Sequence, residues 1–206
     1  MSQTVRAPAR SFAGLLPIIW LVLAAAAPPV WAAEASDGEA PAGQAATDAR
    51  AREAAQAFEN LYGQDVARVR GTRQADDDVA LAKRLLAAAR EATGTPALLT
   101  VLCENACDLA AAHPEGYATA VEAADFLALQ VPAKTAACAE RVAEVRRKQY
   151  AAAEGDAKTA AGERYIDALR AQSDAHLAAE EYPQAVAAAR KALGIARAIE
   201  SPRLRA

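Results

Sequence analysis

The prolines of this chain constrain its fold more than any other feature. After residue 47 they stand at 96, 114, 132, 183 and 202. Each falls at the edge of a stretch whose apolar residues recur at helical spacing, and none falls in the middle of one. Inside a helix a proline removes a hydrogen bond and clashes with the preceding turn, whereas in the first turn its missing N–H costs nothing. The chain is therefore predicted to be a run of helices separated by breakers. Composition points the same way. Residues of hydrophobic type make up 53% of the chain, much of it alanine. Alanine is the best helix former but buries little apolar area. Such helices are held by close approach of backbones, and the scarcity of valine and isoleucine argues against strands.

Seven helical segments are predicted. The first runs from about Asp48 to Thr72, with Phe58, Leu61, Tyr62, Val66 and Val69 along one face and Gly63 as a candidate kink. Asp76, Asp77 and Asp78 open the second, where acids favour the positive end of the helix dipole. Its apolar face uses Val79, Leu81, Leu85, Leu86 and Ala89, and Gly94 ends it. Thr95-Pro96 reads as a cap followed by a first-turn proline. Leu98, Leu99, Leu102, Ala106, Leu109 and Ala110 form the third. Pro114, Pro132 and Pro183 begin further segments, Gly155-Asp156 divides the fifth from the sixth, and Ser201-Pro202 stops the seventh. Helices of this length joined by short turns pack as antiparallel neighbours. The fold class is all-α: either antiparallel hairpins stacked as a short solenoid or a compact helix bundle.

Residues 1–33 have the order of a secretory signal: Arg6 and Arg10 with no acid, the apolar run Phe12 to Ala27, then small residues at Val30-Trp31-Ala32 or Ala33-Glu34-Ala35. The densest apolar part, 18–27, is short for a bilayer core of about 30 Å, which takes about 20 residues; an uncleaved anchor is the rival reading. Export to the periplasm or beyond is expected. Cleavage would remove Met1, Trp20 and Trp31, all the methionine and tryptophan of the chain, and change the net charge from −3 to −5. Residues 34–47, with Gly, Pro, Ser and acids, read as a flexible linker, 48–200 as the helical domain, and 201–206 as a tail.

The stretch LAAEEYPQAVAAARKAL (177–193) places Tyr182 ahead of Ala185, Ala189 and Ala192. HPEGYATAVEAADFLALQVP (113–132) repeats that spacing with Tyr117, Ala120 and Ala124. Both resemble the second helix of the tetratricopeptide repeat. The tyrosines are 65 residues apart, near two units of about 34. The departures are specific. The family's central aromatic is alanine at Ala124 and Ala189, Leu127 stands where a small residue is usual, and His176 replaces a first-helix tyrosine. The resemblance implies close-packed hairpins with Tyr117 and Tyr182 wedged between them. It also implies a concave face that includes Asn105, Asp167, Arg170 and Asp174 and binds an unidentified protein or peptide. Those four equally suit ordinary exposed helix positions.

Catalytic and cofactor signals are sparse. Neither a Gly-x-Ser-x-Gly, a phosphate loop nor a His-Glu-x-x-His occurs, so no enzyme, metal site or cofactor is assigned. Cys103 and Cys107 lie four apart on one helix and Cys138 on another. An odd count favours three small buried thiols; the alternative is a disulfide from Cys138 to Cys103 or Cys107. His113 is placed at a helix end and His176 on an apolar side, as a core or wedge residue. Arg68, Arg70 and Arg73, and Arg146-Arg147-Lys148, lack interleaved aromatics and read as solvated faces rather than a nucleic-acid surface. Neither nucleic acid nor membrane, beyond transit of the signal, is expected as a partner, and the oligomeric state is left open. The rival class is a compact bundle that binds a small ligand, or a subunit of a larger assembly.

Overall fold

The structure, a computed structural model, describes residues 42–72 and 74–203. The expected signal segment and most of the expected linker lie outside the described residues. Those described fold into seven α-helices: α1 (Ala42–Gly71), α2 (Ala75–Glu91), α3 (Pro96–Ala110), α4 (Tyr117–Gln130), α5 (Thr135–Ala152), α6 (Gly155–Ala178) and α7 (Tyr182–Arg203). Single 3-10 turns, Pro114–Gly116 and Pro132–Lys134, lead into α4 and α5. No strand occurs among the described residues, and the fold is all-α.

Most breakers act where expected, and the exceptions lie in the first and last helices and at one cap. Helix α1 starts at Ala42, so residues 42–47, expected in the linker, are already helical; alanine and glutamine there favour continuation once the helix is nucleated. It also runs through Gly63 without a break. At the other end α7 passes Ser201-Pro202 and reaches Arg203. Thr95 does precede Pro96 at the start of α3, but its hydroxyl makes no capping bond.

Each helix packs on its neighbours in the chain. In the first half, α1 also packs on α3 and α2 on α4. That closed arrangement encloses the larger core, in which Leu85, Leu99 and Leu102 are almost fully buried. Burying such a side chain contributes about 2–3 kcal/mol. Helix α1 presents Phe58, Val66 and Val69 to this core and half-buries Tyr62, while Leu61, expected on the same face, is 67% exposed. One residue back from Tyr62, Leu61 is turned about 100° round the helix, just beyond the buried stripe.

Helices α5, α6 and α7 follow in chain order around a second, smaller core of Ala143, Tyr165, Ala168, Leu169 and Ala192. Helix α5 belongs to both cores: Cys138 and Val145 face the first and Ala143 the second. Its long basic side chains, with Lys134 of the turn before it, tie it to α3. Lys134 Nζ donates to Glu104 (3.0 Å), Arg141 Nη1 to Asp108 (2.6 Å), and Lys148 Nζ to the Ala111 carbonyl (2.9 Å). Lys148, expected on a solvated face, thus serves a carbonyl left open at the end of α3. An ion pair between Arg90 and Glu122 joins α2 to α4.

Candidate functional site

The α6–α7 hairpin carries three of the four expected binding residues, and four of the six large apolar side chains left exposed among the described residues. Gly155, with φ of 54°, turns the chain into α6. Where α6 crosses its two neighbours stands Gly162. A Cβ there would lie 2.8 Å from Ile199 Cγ2 and 3.2 Å from Tyr150 Cε2, so only glycine permits this approach. Tyr150 of α5 and Tyr165 of α6 pack with ring centroids 6.2 Å apart, and Lys158 Nζ stands 5.3 Å from the Tyr150 ring centre. Further along, Ser173 Oγ donates to the Ala185 carbonyl (3.0 Å), fixing the register of α6 on α7.

The end of α6 is a Schellman motif built without glycine. Glu181 N–H bonds to the His176 carbonyl (2.8 Å) and Glu180 N–H to that of Leu177 (3.1 Å). Glu180 takes the left-handed position, φ 60°, where a side chain costs about 1–2 kcal/mol. His176 supports this turn from inside. It is 2% exposed, with Nδ1 2.7 Å from Glu181 Oε2 and Nε2 3.2 Å from Glu140 Oε1 of α5. The Nδ1 contact is a hydrogen bond, and the Nε2 side of the same ring faces Glu140 across the α5–α6 seam. The histidine expected as a core or wedge residue is buried where α5, α6 and the α6–α7 turn meet.

Helix α7 has two apolar stripes. Ala185, Ala188 and Ala192 face α6 and are buried. Tyr182, Val186, Ala189 and Leu193, spaced four, three and four apart, lie about 100° round the helix and are bare. Tyr182 is 60% exposed, Val186 48% and Leu193 52%. The expected packing set of Tyr182, Ala185, Ala189 and Ala192 is thus corrected at two positions: Tyr182 and Ala189 face solvent, and Ala188 takes the inner place. Helical period explains it, since 185, 188 and 192 share a face that 189 leaves. Tyr117 differs from Tyr182. It is half-buried against the first core, above buried Ala120 and Ala124. Helices α4 and α7 also stand three helices apart, whereas equivalent members of a two-helix repeat are separated by an even number.

On α6, Asp167, Arg170 and Asp174 are exposed at spacings of three and four, and exposed Leu177 continues their stripe. Asn105 is elsewhere, on α3, where Nδ2 donates to the Val101 carbonyl of its own helix (2.9 Å). The structure therefore unites three of the four expected binding residues and separates the fourth.

Two further concavities lie in the first half. A groove of about 950 Å³ runs between the first turns of α1, the start of α3 and the α4–α5 turn; Ala54, Leu98, Val101 and Val131 line it, with Arg50 and Lys134 at its rim. A cleft of about 430 Å³ between α3 and α5 has Cys107 and Val145 among its lining, beneath Arg141 and Lys148. The cysteines are all buried free thiols, and no bridge joins Cys138 to Cys103 or Cys107. Burial pushes the Cys103 thiol up to about 12 and that of Cys138 to about 11; Cys107 is also raised by burial, against the pull of Arg141. Such thiols are poor nucleophiles at neutral pH. Among the described residues no group of His, Cys, Asp or Glu is arranged to hold a metal ion, and no helix is long and apolar enough to cross a membrane. His113, expected to serve helix-end carbonyls, instead pairs with the first-turn Asp78 of α2, Nε2 to Oδ2 2.7 Å.

The bare α7 stripe was within reach of sequence reasoning, because its four-three-four spacing is a helix–helix seam. The α1–α3 groove was not, since no local pattern records which distant turns face one another. No protein-family model, curated protein or solved structure matches the chain.

Proposed function

We propose that this chain is an exported, non-enzymatic helical scaffold that binds a protein or peptide. The observation that carries the reading is the uncovered stripe of α7. Of the six large apolar side chains left exposed among the described residues, four, Leu177, Tyr182, Val186 and Leu193, belong to the α6–α7 hairpin, while Leu61 of α1 and Leu129 of α4 stand singly. Exposed apolar surface gathered in one place marks an interaction site.

The test is photo-crosslinking from position 186 in cells that make the full chain, with position 147 on α5 as control. Adducts of discrete mass from 186 and not from 147 support the reading; equal or absent labelling at both overturns it. Export is tested by sequencing the N-terminus of the exported protein, which should begin near residue 34 and show tyrosine-only fluorescence. A second reading, binding of a small apolar ligand, is favoured by the α1–α3 groove, whose volume falls in the range of such sites, about 300–1,000 Å³.

A further inference from the structure

Resting on that protein-binding reading, we infer that the α7 seam takes one kind of partner: an amphipathic α-helix whose apolar stripe is flanked by acidic residues. Three observations carry this. The first is width. The bare stripe is a single file, Tyr182, Val186, Ala189 and Leu193, with a small residue inside it where a partner backbone can come close. That is the geometry of a helix–helix seam. A membrane-surface helix needs a broad face of bulky apolar residues, and α7 offers alanine and Gly194 on much of the rest of its circumference.

The second is charge. Arg190 and Arg197 border the stripe on the side away from the buried alanines, by helical period. Both are exposed, and neither has an ion pair among the described residues. Between Glu181 and Glu200 the chain carries no carboxylate. Two unpaired guanidiniums on one edge of an apolar seam favour carboxylates on the matching edge of whatever covers it, as flanking charges do in paired helices. The third is orientation. Lys191, on the opposite side of α7, faces α5 closely enough for its charge to act on Glu144. The seam therefore points away from α5 and is open to an added helix. Two copies of α7 laid face to face would set arginine edge against arginine edge in one antiparallel register, which disfavours a second copy as the occupant.

The experiment uses the purified chain and two synthetic peptides of about 18 residues, enough to span about 27 Å of helix. Both carry the same leucine and alanine stripe. One has glutamates along its flanks, the other lysines. Fluorescence anisotropy at low salt should show the glutamate peptide binding at least ~10-fold more tightly, with the preference shrinking as salt rises. Val186→Asp should abolish binding of both. The double variant Arg190→Glu/Arg197→Glu should reverse the preference, so that a variant which still binds reports charge recognition and not misfolding; circular dichroism checks that both variants remain helical. Equal binding of the two peptides, or binding of neither, overturns the inference. So does co-sedimentation with phosphatidylcholine–phosphatidylglycerol vesicles that Val186→Asp removes, or a concentration-dependent dimer with the same sensitivity. Equal peptide binding together with specific crosslinks from position 186 would sink the acidic helix while leaving the protein-binding reading in place; loss of the crosslinks would sink both.

Discussion

The two halves of the domain are built from similar helices but held together differently. In α1–α4, helices meet their neighbours and their next-but-one neighbours, and leucines fill the enclosed space. In α5–α7 the main packing is between chain neighbours, apart from the side-chain bonds that α5 makes back to α3, and the core is mainly alanine with one leucine and one tyrosine. What the second half lacks in buried area it makes up by specific devices: the missing Cβ at Gly162, the Ser173 hydroxyl and the buried His176 ring. Large side chains stabilise through area, so their loss is felt in proportion to the cavity left. Alanine seams stabilise through fit and depend on a few positions being right.

That contrast sets the order of expected effects. Leu102→Ala, in the centre of the first core, should cost about 3–5 kcal/mol, against about 2–3 for Leu169→Ala in the second. Thermal and urea unfolding of the two variants would measure both, and equal costs would erase the distinction between the halves. Alkaline pH should act on the first core, through a thiol that α5 turns into it. The Cys138 thiol is raised from 9.0 to about 11 by burial. Its stabilising contribution is whole below pH 9, and is lost as pH climbs from there toward 11, because the unfolded chain releases the proton first. Cys138→Ala should take on the order of 2 kcal/mol out of the alkaline loss at pH 11, read from urea midpoints across that range.

His176→Ala should cost about 1–3 kcal/mol by emptying a buried position and leaving Glu181 of the turn without its ring partner. Hydrogen exchange should then show α7 losing protection well before α2, which would sharpen the comparison. Uniform loss over all seven helices would break it. The smallest effect is a gain: Glu180→Gly should stabilise by about 1 kcal/mol, since the left-handed residue costs a side chain more than it costs glycine, seen as a rise in Tm.

The helix count and most boundaries were legible because breakers act locally. Pro96, Pro114, Pro132 and Gly155 each impose a backbone constraint that no tertiary context relieved. The inward faces of α2 and α3 were legible for a second reason: leucine is bulky enough that its spacing shows which side is buried. Alanine carries no such mark. In α7 the inner Ala188 and the outer Ala189 are the same residue type, and only packing against α6 distinguishes them. The same weakness explains why two similar alanine patterns, after Tyr117 and after Tyr182, lie in unlike surroundings. Nor could Glu180 be foreseen as a left-handed cap, because that place usually goes to glycine.

Helix α5 serves two masters. Rolling it to tighten Cys138 and Val145 against their leucine neighbours would swing Ala143 off its seat beside Leu169, and the reverse roll would do the opposite. One angular setting satisfies both sides, and it fixes the pitch at which every later helix leaves the first four. The placement of the hairpin seam is thus decided several turns upstream, on a helix that contributes nothing to it directly.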